Sequence, residues 1–213
     1  MSTNTNADGL REAYPPSPRP PGTASPQVRQ RIEAAALELF SRREFHRVRL
    51  DEIAREARAS LQTIYRYYGD KQTLLDACVL HWVNTLALRM TDHLTGIQTY
   101  KDRLRKVFWV VLDFFEQHPK VARMIMGAVY PGAMGHDVSG EQRALTDLFL
   151  KVLAEGREKG ILSDEVSEVI LLDYFYGVLA RLIQMQTLRR SEPPLTSQFN
   201  ALFEMLWRAI AKP

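Results

Sequence analysis

Hydrophobic side chains recur at intervals of three and four residues along most of this 213-residue chain, which is the spacing of one face of an α-helix. The first such stripe follows Pro26, a residue suited to a first helical turn, and consists of Ile32, Ala35, Ala36, Leu39 and Phe40. Later helices are predicted near residues 101–117, 119–129, 141–159, 165–189 and 196–211, between breaks rich in glycine and proline. No segment alternates with a period of two, so the pattern predicts an all-α fold.

Two short amphipathic segments lie close together between Leu50 and Lys71. Each has apolar residues on one face: Leu50, Ile53, Ala54 and Ala57 on the first, and Leu61, Ile64, Tyr65 and Tyr68 on the second. Ser60 can cap the second helix, and Asp70 can cap a longer helix that runs through Leu74, Leu75, Cys78 and Trp82. The outward face of the second helix carries groups that hydrogen-bond to nucleic acid, namely Gln62, Thr63, Arg66 and Tyr67. The pattern predicts a helix-turn-helix with a recognition face.

The composition limits the classes of protein to which the chain can belong. A length of 213 residues with 46% hydrophobic content is enough for one or two globular domains with a substantial core. No apolar run is long enough to span a membrane, and the N-terminal residues have no apolar segment of the signal-peptide kind. Cys78 is the only cysteine, so no disulfide can form within the chain, and a reducing, cytoplasmic setting is expected.

The net charge of +3 is concentrated around the helix-turn-helix. Residues 26–71 contain nine Arg and one Lys against seven acids, whereas residues 72–213 contain 16 bases and 16 acids and the first 25 residues contain two of each. Arginine is suited to contacts with phosphates and base edges. The coincidence of this charge with the helix pair strengthens the prediction of nucleic-acid binding.

The segment from Arg29 to Leu75 resembles the N-terminal DNA-binding domain of the TetR family of transcriptional regulators. The matching residues are, in order, AALELF (Ala35 to Phe40), Phe45, Ile53-Ala54, Ser60, Thr63-Ile64-Tyr65, Tyr68, Lys71 and Leu74-Leu75. Two later features are similar to the family's effector domain: His118-Pro119 before a helix, and EGREKGILSD (Glu155 to Asp164) before an apolar helix.

The resemblance implies two domains after a polar, proline-rich tail at residues 1–25. A three-helix DNA-binding domain is expected at residues 26–71, and a larger helical domain for effector binding and dimerisation at residues 72–213. The tail is expected to be disordered; Arg11 and Arg19 could touch DNA phosphates, but a plain solvated tail is the commoner case. The family pairs two helices near the C-terminus with their copies in a second subunit, which here implies 141–159 and 165–189. Gly177 and Ala180 would permit a close approach.

The chain departs from the family pattern at three places in the helix-turn-helix domain. Glu44 stands where the family usually has glycine before Phe45, and Val48-Arg49 stand where a Thr or Ser cap is usual. Arg58 occupies the turn position that usually holds glycine, and this position often needs a positive φ. A strained turn at Arg58 is therefore expected.

Eight residues are predicted to contact DNA: Arg49, Ser60, Gln62, Thr63, Tyr65, Arg66, Tyr67 and Lys71. The Gln62 amide can bond the edge of adenine, Arg66 can reach guanine or phosphate, and Thr63 can contact phosphate or a thymine methyl. Arg49 lies where it can clamp a phosphate. The resemblance assigns backbone contacts to Tyr65, Tyr67 and Lys71, although Tyr65 could equally be core.

The resemblance also implies a ligand pocket in the C-terminal domain. The candidates to line it are Trp82, Trp109, Asp113, Phe114, Met126, Tyr130, Tyr174 and Arg181. Aromatic residues at helical spacing are more often plain core, and polar ones are more often at a surface. If Asp113 and Asp173 both faced the cavity, a cationic ligand would be favoured.

Sequence signatures of common catalytic and metal sites are missing: the chain has no HExxH pair, no GxxxxGK[ST] or GxGxxG loop and no GxSxG. We therefore expect neither an enzyme nor a bound cofactor. The expected function is that of a homodimeric, ligand-responsive repressor, released from a palindromic DNA operator by a small molecule. A helical architectural or RNA-binding protein and a helical enzyme are the alternatives.

Overall fold

The computed structural model describes residues 25–94, 97, 99–129, 140–189 and 193–213, with the side chains of 91–94, 128–129 and 140–148 left out. The described residues form helices in this order: α1 (Pro26–Phe40), α2 (Leu50–Glu56), α3 (Leu61–Tyr68), α4 (Lys71–Leu94), α5 (Tyr100–Gln117), α6 (Pro119–Val129), α7 (Gly140–Glu158), α8 (Glu168–Leu188) and α9 (Phe199–Ile210). Short 3₁₀ turns lie at Phe45–Arg47 and Leu195–Gln198. Within these ranges the only extended pairing is an isolated bridge between Leu162 and Ala211, so the prediction of an all-α fold is confirmed.

The predicted helix ends arise from local hydrogen bonds. The Ser60 Oγ accepts from the Thr63 N–H at 3.0 Å, and the Asp70 carboxylate accepts from the Thr73 N–H at 2.7 Å. Both predicted caps are therefore confirmed. At the other end of a helix, Gly160 has a φ of 65°, a conformation that glycine adopts without a Cβ clash, and it ends α7.

The first four helices pack around one apolar cluster, which we call the head cluster. Its fully buried members include Ile32, Ile53, Ile64 and Leu74, one from each of α1 to α4. The whole predicted stripe of α1 lies against or within this cluster. Cys78 belongs to it as well, and burial raises the pKa of its thiol to about 12, so this cysteine is core.

A second apolar cluster, the body cluster, fills the space between α5, α7, α8 and α9. Phe108 of α5 lies at its centre, with ring centroids of Phe175 and Phe203 at 6.1 and 5.9 Å. Tyr100 packs so closely on Gly156 that an added Cβ would lie 2.4 Å from the tyrosine oxygen, while its hydroxyl donates to the Val152 carbonyl at 3.0 Å. A glycine at 156 is therefore what lets α5 and α7 approach each other.

The two clusters are continuous along α4 and α6. Phe114 and three residues of α6 complete the head cluster, and Leu86, Phe115 and Met126 pack against both. The side chains of Lys120 on α6 and Glu38 on α1 form an ion pair across the same junction. A domain boundary at residue 71 remains a prediction, since the first turns of α4 share the head cluster.

Two helix bounds differ from the sequence prediction by a few residues. α8 begins at Glu168 because the Ser167 Oγ accepts from the Ile170 N–H at 3.4 Å, which caps the helix there. The last predicted helix begins as a 3₁₀ turn at Leu195 and becomes α-helical at Phe199. Among the described helices, none combines the length and the hydropathy that a membrane crossing requires.

Candidate nucleic-acid interface

The side chains of α3 divide into a buried row and an exposed face. Ile64 is 0% exposed and Tyr68 is 6% exposed, while Leu61 is 38% exposed and Tyr65 is 51% exposed. The apolar face predicted for α3 is therefore buried only at Ile64 and Tyr68, and of the two alternatives for Tyr65 the core placement is wrong. α3 has only two turns and touches its neighbours on one side, so only the residues nearest that side are covered.

The exposed face of α3 presents the groups that the sequence predicted for base contacts. Gln62 and Arg66, one helical turn apart, are both exposed, and Thr63 is half-buried beside them. The Thr63 and Ser60 hydroxyls are 2.7 Å apart, so the cap also fixes the threonine side chain. Gln62 therefore lies between two residues, Ser60 and Thr63, whose side chains are held in place.

Arg66 lies along the ring of Tyr67. Its guanidinium carbon is 4.9 Å from the ring centroid, and one guanidinium N–H donates to the Tyr67 hydroxyl at 2.8 Å. Among the residues that the structure describes, Arg66 has no carboxylate partner. The Tyr67 ring therefore orients the Arg66 guanidinium, whose positive charge is not neutralised by a carboxylate. This arrangement suits a contact with phosphate or guanine.

α3 is tied to α1 by a polar contact underneath the exposed face. The Tyr68 hydroxyl donates to the Glu33 carboxylate at 3.2 Å, and the same carboxylate accepts from Arg29 at 2.7 Å. Burial and the nearby Glu33 carboxylate raise the pKa of Tyr68 well above its usual value, so the hydroxyl stays protonated as the donor. This contact fixes the rotation of α3 relative to the first helix.

Lys71 is engaged inside the head. Its Nζ donates to the carbonyl oxygens of Phe45 and Val48, each at 2.9 Å, and lies 4.4 Å from the centroid of the Phe45 ring. An ammonium has three N–H donors, so one remains after these two bonds. Lys71 therefore holds the 3₁₀ turn before α2 against the first turn of α4, a structural role that the sequence did not indicate.

The remaining predicted contact, Arg49, is exposed at the start of α2 and pairs with Asp51 at 2.9 Å. Arg58, at the turn, is also exposed and has no carboxylate partner within the described part of the chain. Its φ of 50° confirms the expected left-handed turn, and no other non-glycine residue in the described ranges has a positive φ. Glu44 has a φ of −61°, so this position does not need the glycine that the family usually has.

The candidate ligand residues do not gather around one cavity. Trp82 packs against Phe114 and His118, with ring centroids 6.2 and 5.0 Å away, and Phe114 is fully buried in this contact. Met126 is half-buried between the two clusters. These residues form packed core at the junction of α4, α5 and α6.

The other candidates lie elsewhere. Trp109 is half-buried on the surface beside Lys106, whose Nζ is 4.3 Å from the centroid of its six- and five-membered ring system. Tyr174 and Arg181 lie on the exposed side of α8, and Tyr130 lies outside the described residues.

Asp113 forms an ion pair with Arg89 of α4 and accepts from the Gln117 amide at 2.9 Å, while Asp173 is exposed. The condition for favouring a cationic ligand, two aspartates facing one cavity, is therefore not met.

A cleft of about 280 Å³ lies between α5, the start of α6, the end of α8 and the second 3₁₀ turn. Its walls are mainly apolar and are formed by Leu112, Phe115, Pro119, Ile183, Pro194 and Leu195, with Glu116, Gln186 and Thr187 as polar groups. The Glu116 carboxylate accepts from the Thr196 N–H and hydroxyl at 3.2 and 2.6 Å, which holds the 3₁₀ turn over the cleft. Sequence reasoning missed this site because its residues come from four separate segments.

α8 exposes a row of large hydrophobic side chains on the face opposite the body cluster. The exposed members in and just before the helix are Val166, Val169, Ile170, Tyr174, Tyr176 and Leu188. Gly177 is exposed within this row, with no atom within 4 Å of an added Cβ. A patch of this kind is typical of a surface that a partner covers.

Among the described residues, no group of three or more His, Cys, Asp and Glu side chains is placed to hold a metal ion.

Comparisons with known proteins agree with the geometry of the head. Residues 32–78 match the family model of bacterial regulatory proteins, tetR family. The chain is 29% identical over 148 residues to the HTH-type transcriptional repressor SCO4008 of Streptomyces coelicolor, which covers 68% of this chain and 72% of that protein. It is 23% identical over 162 residues to the HTH-type transcriptional regulator UidR of Escherichia coli, and this alignment covers 74% of this chain and 83% of UidR.

Solved structures show the same fold along most of the chain. A TetR family transcription regulator from Marinobacter aquaeolei superposes with a TM-score of 0.73 at 20% identity, over 88% of this chain and 97% of that one. The regulator FadR from Bacillus subtilis, crystallised with stearoyl-CoA, superposes with a TM-score of 0.71 at 17% identity, over 83% and 96% of the two chains. The family-model match shows that residues 32–78 form the helix-turn-helix domain typical of the tetR family of bacterial regulatory proteins, and the solved structures show that the chain shares the fold of such regulators.

Proposed function

We propose that this protein is a homodimeric, sequence-specific transcriptional repressor that a small molecule releases from a palindromic DNA operator. The observation that carries the proposal is the exposed face of α3, where Gln62 and Arg66 are both exposed on the positively charged part of the chain. The neighbouring cap, ring and ion contacts hold this face rigid, which is what base readout requires.

The first turn of α3 enters the major groove, since recognition helices approach base edges with their N-terminal residues. Gln62 then bonds the edge of adenine and Arg66 reaches guanine or phosphate. Ser60, Thr63, Tyr65 and Tyr67 contact the sugar-phosphate backbone around this point, while Arg49 and the third donor of Lys71 bind phosphates at the edge of the head.

Two copies of the chain pair through α7 and the exposed face of α8. The apolar row on α8 supports this pairing, because water-exposed hydrophobic patches of this extent are uncommon in monomers. Two-fold pairing sets two recognition helices about 34–36 Å apart, one turn of DNA, so that each reads one half of a palindrome.

The effector binds in the cleft between α5 and α8. The mainly apolar walls with three polar groups have the chemistry of a small-molecule site. The Bacillus subtilis regulator FadR, which shares the fold, was crystallised with stearoyl-CoA, and this supports an effector with an apolar part.

Pro119 lines the cleft at the first residue of α6, and the next residue, Lys120, pairs with Glu38 in the head. A ligand that favours a different position of α6 therefore changes the position of the head. Such a ligand acts only through its different affinities for the two arrangements.

Binding of the selected operator by single variants tests the DNA-binding face. Gln62→Ala is expected to lose discrimination at one base position, and Arg66→Ala is expected to weaken binding by about 1–3 kcal/mol when its contact is bidentate. Gln198→Ala and Arg208→Ala are matched controls, since both residues are exposed near α9 in the body. Operator affinity and base preference that are unchanged in the α3 variants would contradict the proposal.

An architectural protein would bind DNA with little base preference and would show the same affinity for scrambled operators. The relatives named above are transcriptional regulators, which favours regulation over catalysis.

A further inference from the structure

Leu61 is an exposed hydrophobic residue at a place where the head is otherwise polar. Among residues 25–71, all of which the structure describes, only Leu61 and Tyr65 are large hydrophobic side chains with an exposed surface. Both lie on α3, one helical turn apart, and each directly precedes an exposed polar residue, Gln62 or Arg66. Leu61 is not part of the head cluster, to which α3 contributes Ile64 and Tyr68 as buried residues.

Leu61 also lies at the N-terminal end of the helix. It is the first residue of α3, directly after the Ser60 cap, and its neighbour Gln62 is the predicted base reader. If α3 enters the major groove with its N-terminal turn, Leu61 meets the base edges together with Gln62.

Only one group on the major-groove edge of a base pair matches a leucine side chain. The 5-methyl of thymine is apolar, whereas guanine, adenine and cytosine present acceptors and donors there. Leucine has no polar atom, so a polar base edge placed against it would lose its bonds to water without replacement. An exposed leucine at this position therefore favours thymine and disfavours the other bases.

A protein partner is a poorer occupant for this surface. Leu61 and Tyr65 alone form a patch far smaller than a stable protein interface, which buries about 800 Å² on each side. They are also flanked by Gln62, Thr63 and Arg66, whose chemistry suits nucleic acid.

We propose that Leu61 is a specificity-determining residue that recognises the 5-methyl group of one thymine in each operator half-site. The inference rests on the proposed DNA-binding function and adds to it a base identity and the atom that is read.

Replacement of single thymines by deoxyuridine tests the inference, because this change removes only the methyl group. Each thymine of the selected operator is replaced in turn, and the Kd is measured for the wild type and for Leu61→Ala. At one thymine per half-site, the replacement is expected to weaken wild-type binding about fourfold, the factor for one buried methyl group. Changing both half-sites is expected to cost about 15-fold, because separate sites add in free energy.

The Leu61→Ala variant is expected to bind the thymine and deoxyuridine operators with equal affinity. Leu61→Met keeps an apolar side chain and is expected to retain the thymine preference. Gln62→Ala is the matched neighbour, and it is expected to keep the same thymine-to-deoxyuridine ratio while changing preference at another base. Melting temperatures of the free proteins identify any variant that has lost its fold.

Two results separate failure of the inference from failure of the proposed function. Specific operator binding with no methyl-sensitive thymine, or with the same sensitivity in Leu61→Ala, overturns the role of Leu61 alone. Absence of any specific DNA binding by the wild type overturns the proposed function, and the role of Leu61 with it.

Discussion

At the turn between α2 and α3, one residue holds a conformation that its side chain disfavours. Arg58 has a φ of 50°, and the bond from the Ala59 N–H to the Ala54 carbonyl at 2.9 Å closes the chain around it. The left-handed region costs a residue with a Cβ about 1–2 kcal/mol, which glycine does not incur. The surrounding contacts therefore hold Arg58 in the left-handed conformation, and this strain lowers the free energy of unfolding.

Arg58→Gly is expected to raise the free energy of unfolding by about 1 kcal/mol, since removal of strain exceeds the added entropy of the unfolded chain. Urea denaturation of the DNA-free protein measures the change. Arg58→Ala is the control, because it removes the charge but keeps the Cβ and the strain. An equal gain in both variants would show that the charge, not the backbone, limits stability.

Lys71 acts first on the fold of the head and only then on DNA. Because its ammonium bridges two carbonyl groups, Lys71→Met is expected to lower the free energy of unfolding by about 1–3 kcal/mol without any DNA present. Arg47→Met, at a side chain that is 70% exposed, is expected to leave stability unchanged. If Lys71→Met unfolds at the same denaturant midpoint as the wild type, Lys71 has no structural role in the head, and a phosphate contact is its only remaining role.

At the scale of elements, α7 is held to α5 by charge as well as by apolar packing. Glu155 accepts from Arg103 and from Lys159, at 2.6 and 2.7 Å. These two hydrogen bonds lower the pKa of the Glu155 carboxyl from 4.5 to about 2. The folded state therefore favours the ionised carboxylate. The stabilisation that this carboxylate gives the folded state is fully present above the pKa of the unfolded chain and is lost as the pH falls towards 2.

Thermal unfolding as a function of pH checks this link. Between about pH 5 and pH 2, the wild type is expected to lose more thermal stability than Glu155→Gln, whose side chain cannot titrate. Glu158→Gln, an exposed neighbour on the same helix, is the control and is expected to follow the wild type. Parallel wild-type and Glu155→Gln curves in this range would contradict the role of the carboxylate.

The sequence predicted the elements well where the pattern is local. Periodicity located the helices, and the Ser60 and Asp70 caps followed from residue type and position. Periodicity did not reveal how wide the buried stripe of α3 is, because that depends on which neighbours touch a two-turn helix. Periodicity alone therefore grouped Leu61 and Tyr65 with the buried Ile64 and Tyr68, whereas the structure leaves the first two exposed.

Contacts between distant segments could not be read from the sequence. Glu116 and Thr196 are 80 residues apart, yet their hydrogen bonds hold one wall of the cleft between α5 and α8. Asp113 was a candidate for ligand binding because it is a polar residue among apolar neighbours, and Arg89 of another helix is the partner that the structure gives it. The candidate DNA-contact residues are close together in the sequence, which is why that part of the site was predictable.

At the scale of the whole molecule, the exposed apolar face of α8 is the proposed surface for pairing two copies. A charged residue in the row of Ile170 and Tyr174 would be buried without a partner in the dimer. Ile170→Asp is expected to shift the protein from dimer to monomer in analytical ultracentrifugation and to reduce operator affinity. Met205→Asp, at an equally apolar side chain that is 68% exposed on α9, is the control and is expected to remain dimeric. A dimeric Ile170→Asp protein would place the interface elsewhere.

Selection of bound DNA from random fragments, followed by footprinting on the enriched sequence, tests the central claim most directly. A dimer with two α3 helices is expected to select a two-fold symmetric site and to protect two successive major grooves on one side of the DNA. The centres of those grooves are expected to lie about 34–36 Å apart. Enrichment of sites without two-fold symmetry, or no enrichment over non-specific DNA, would contradict the account.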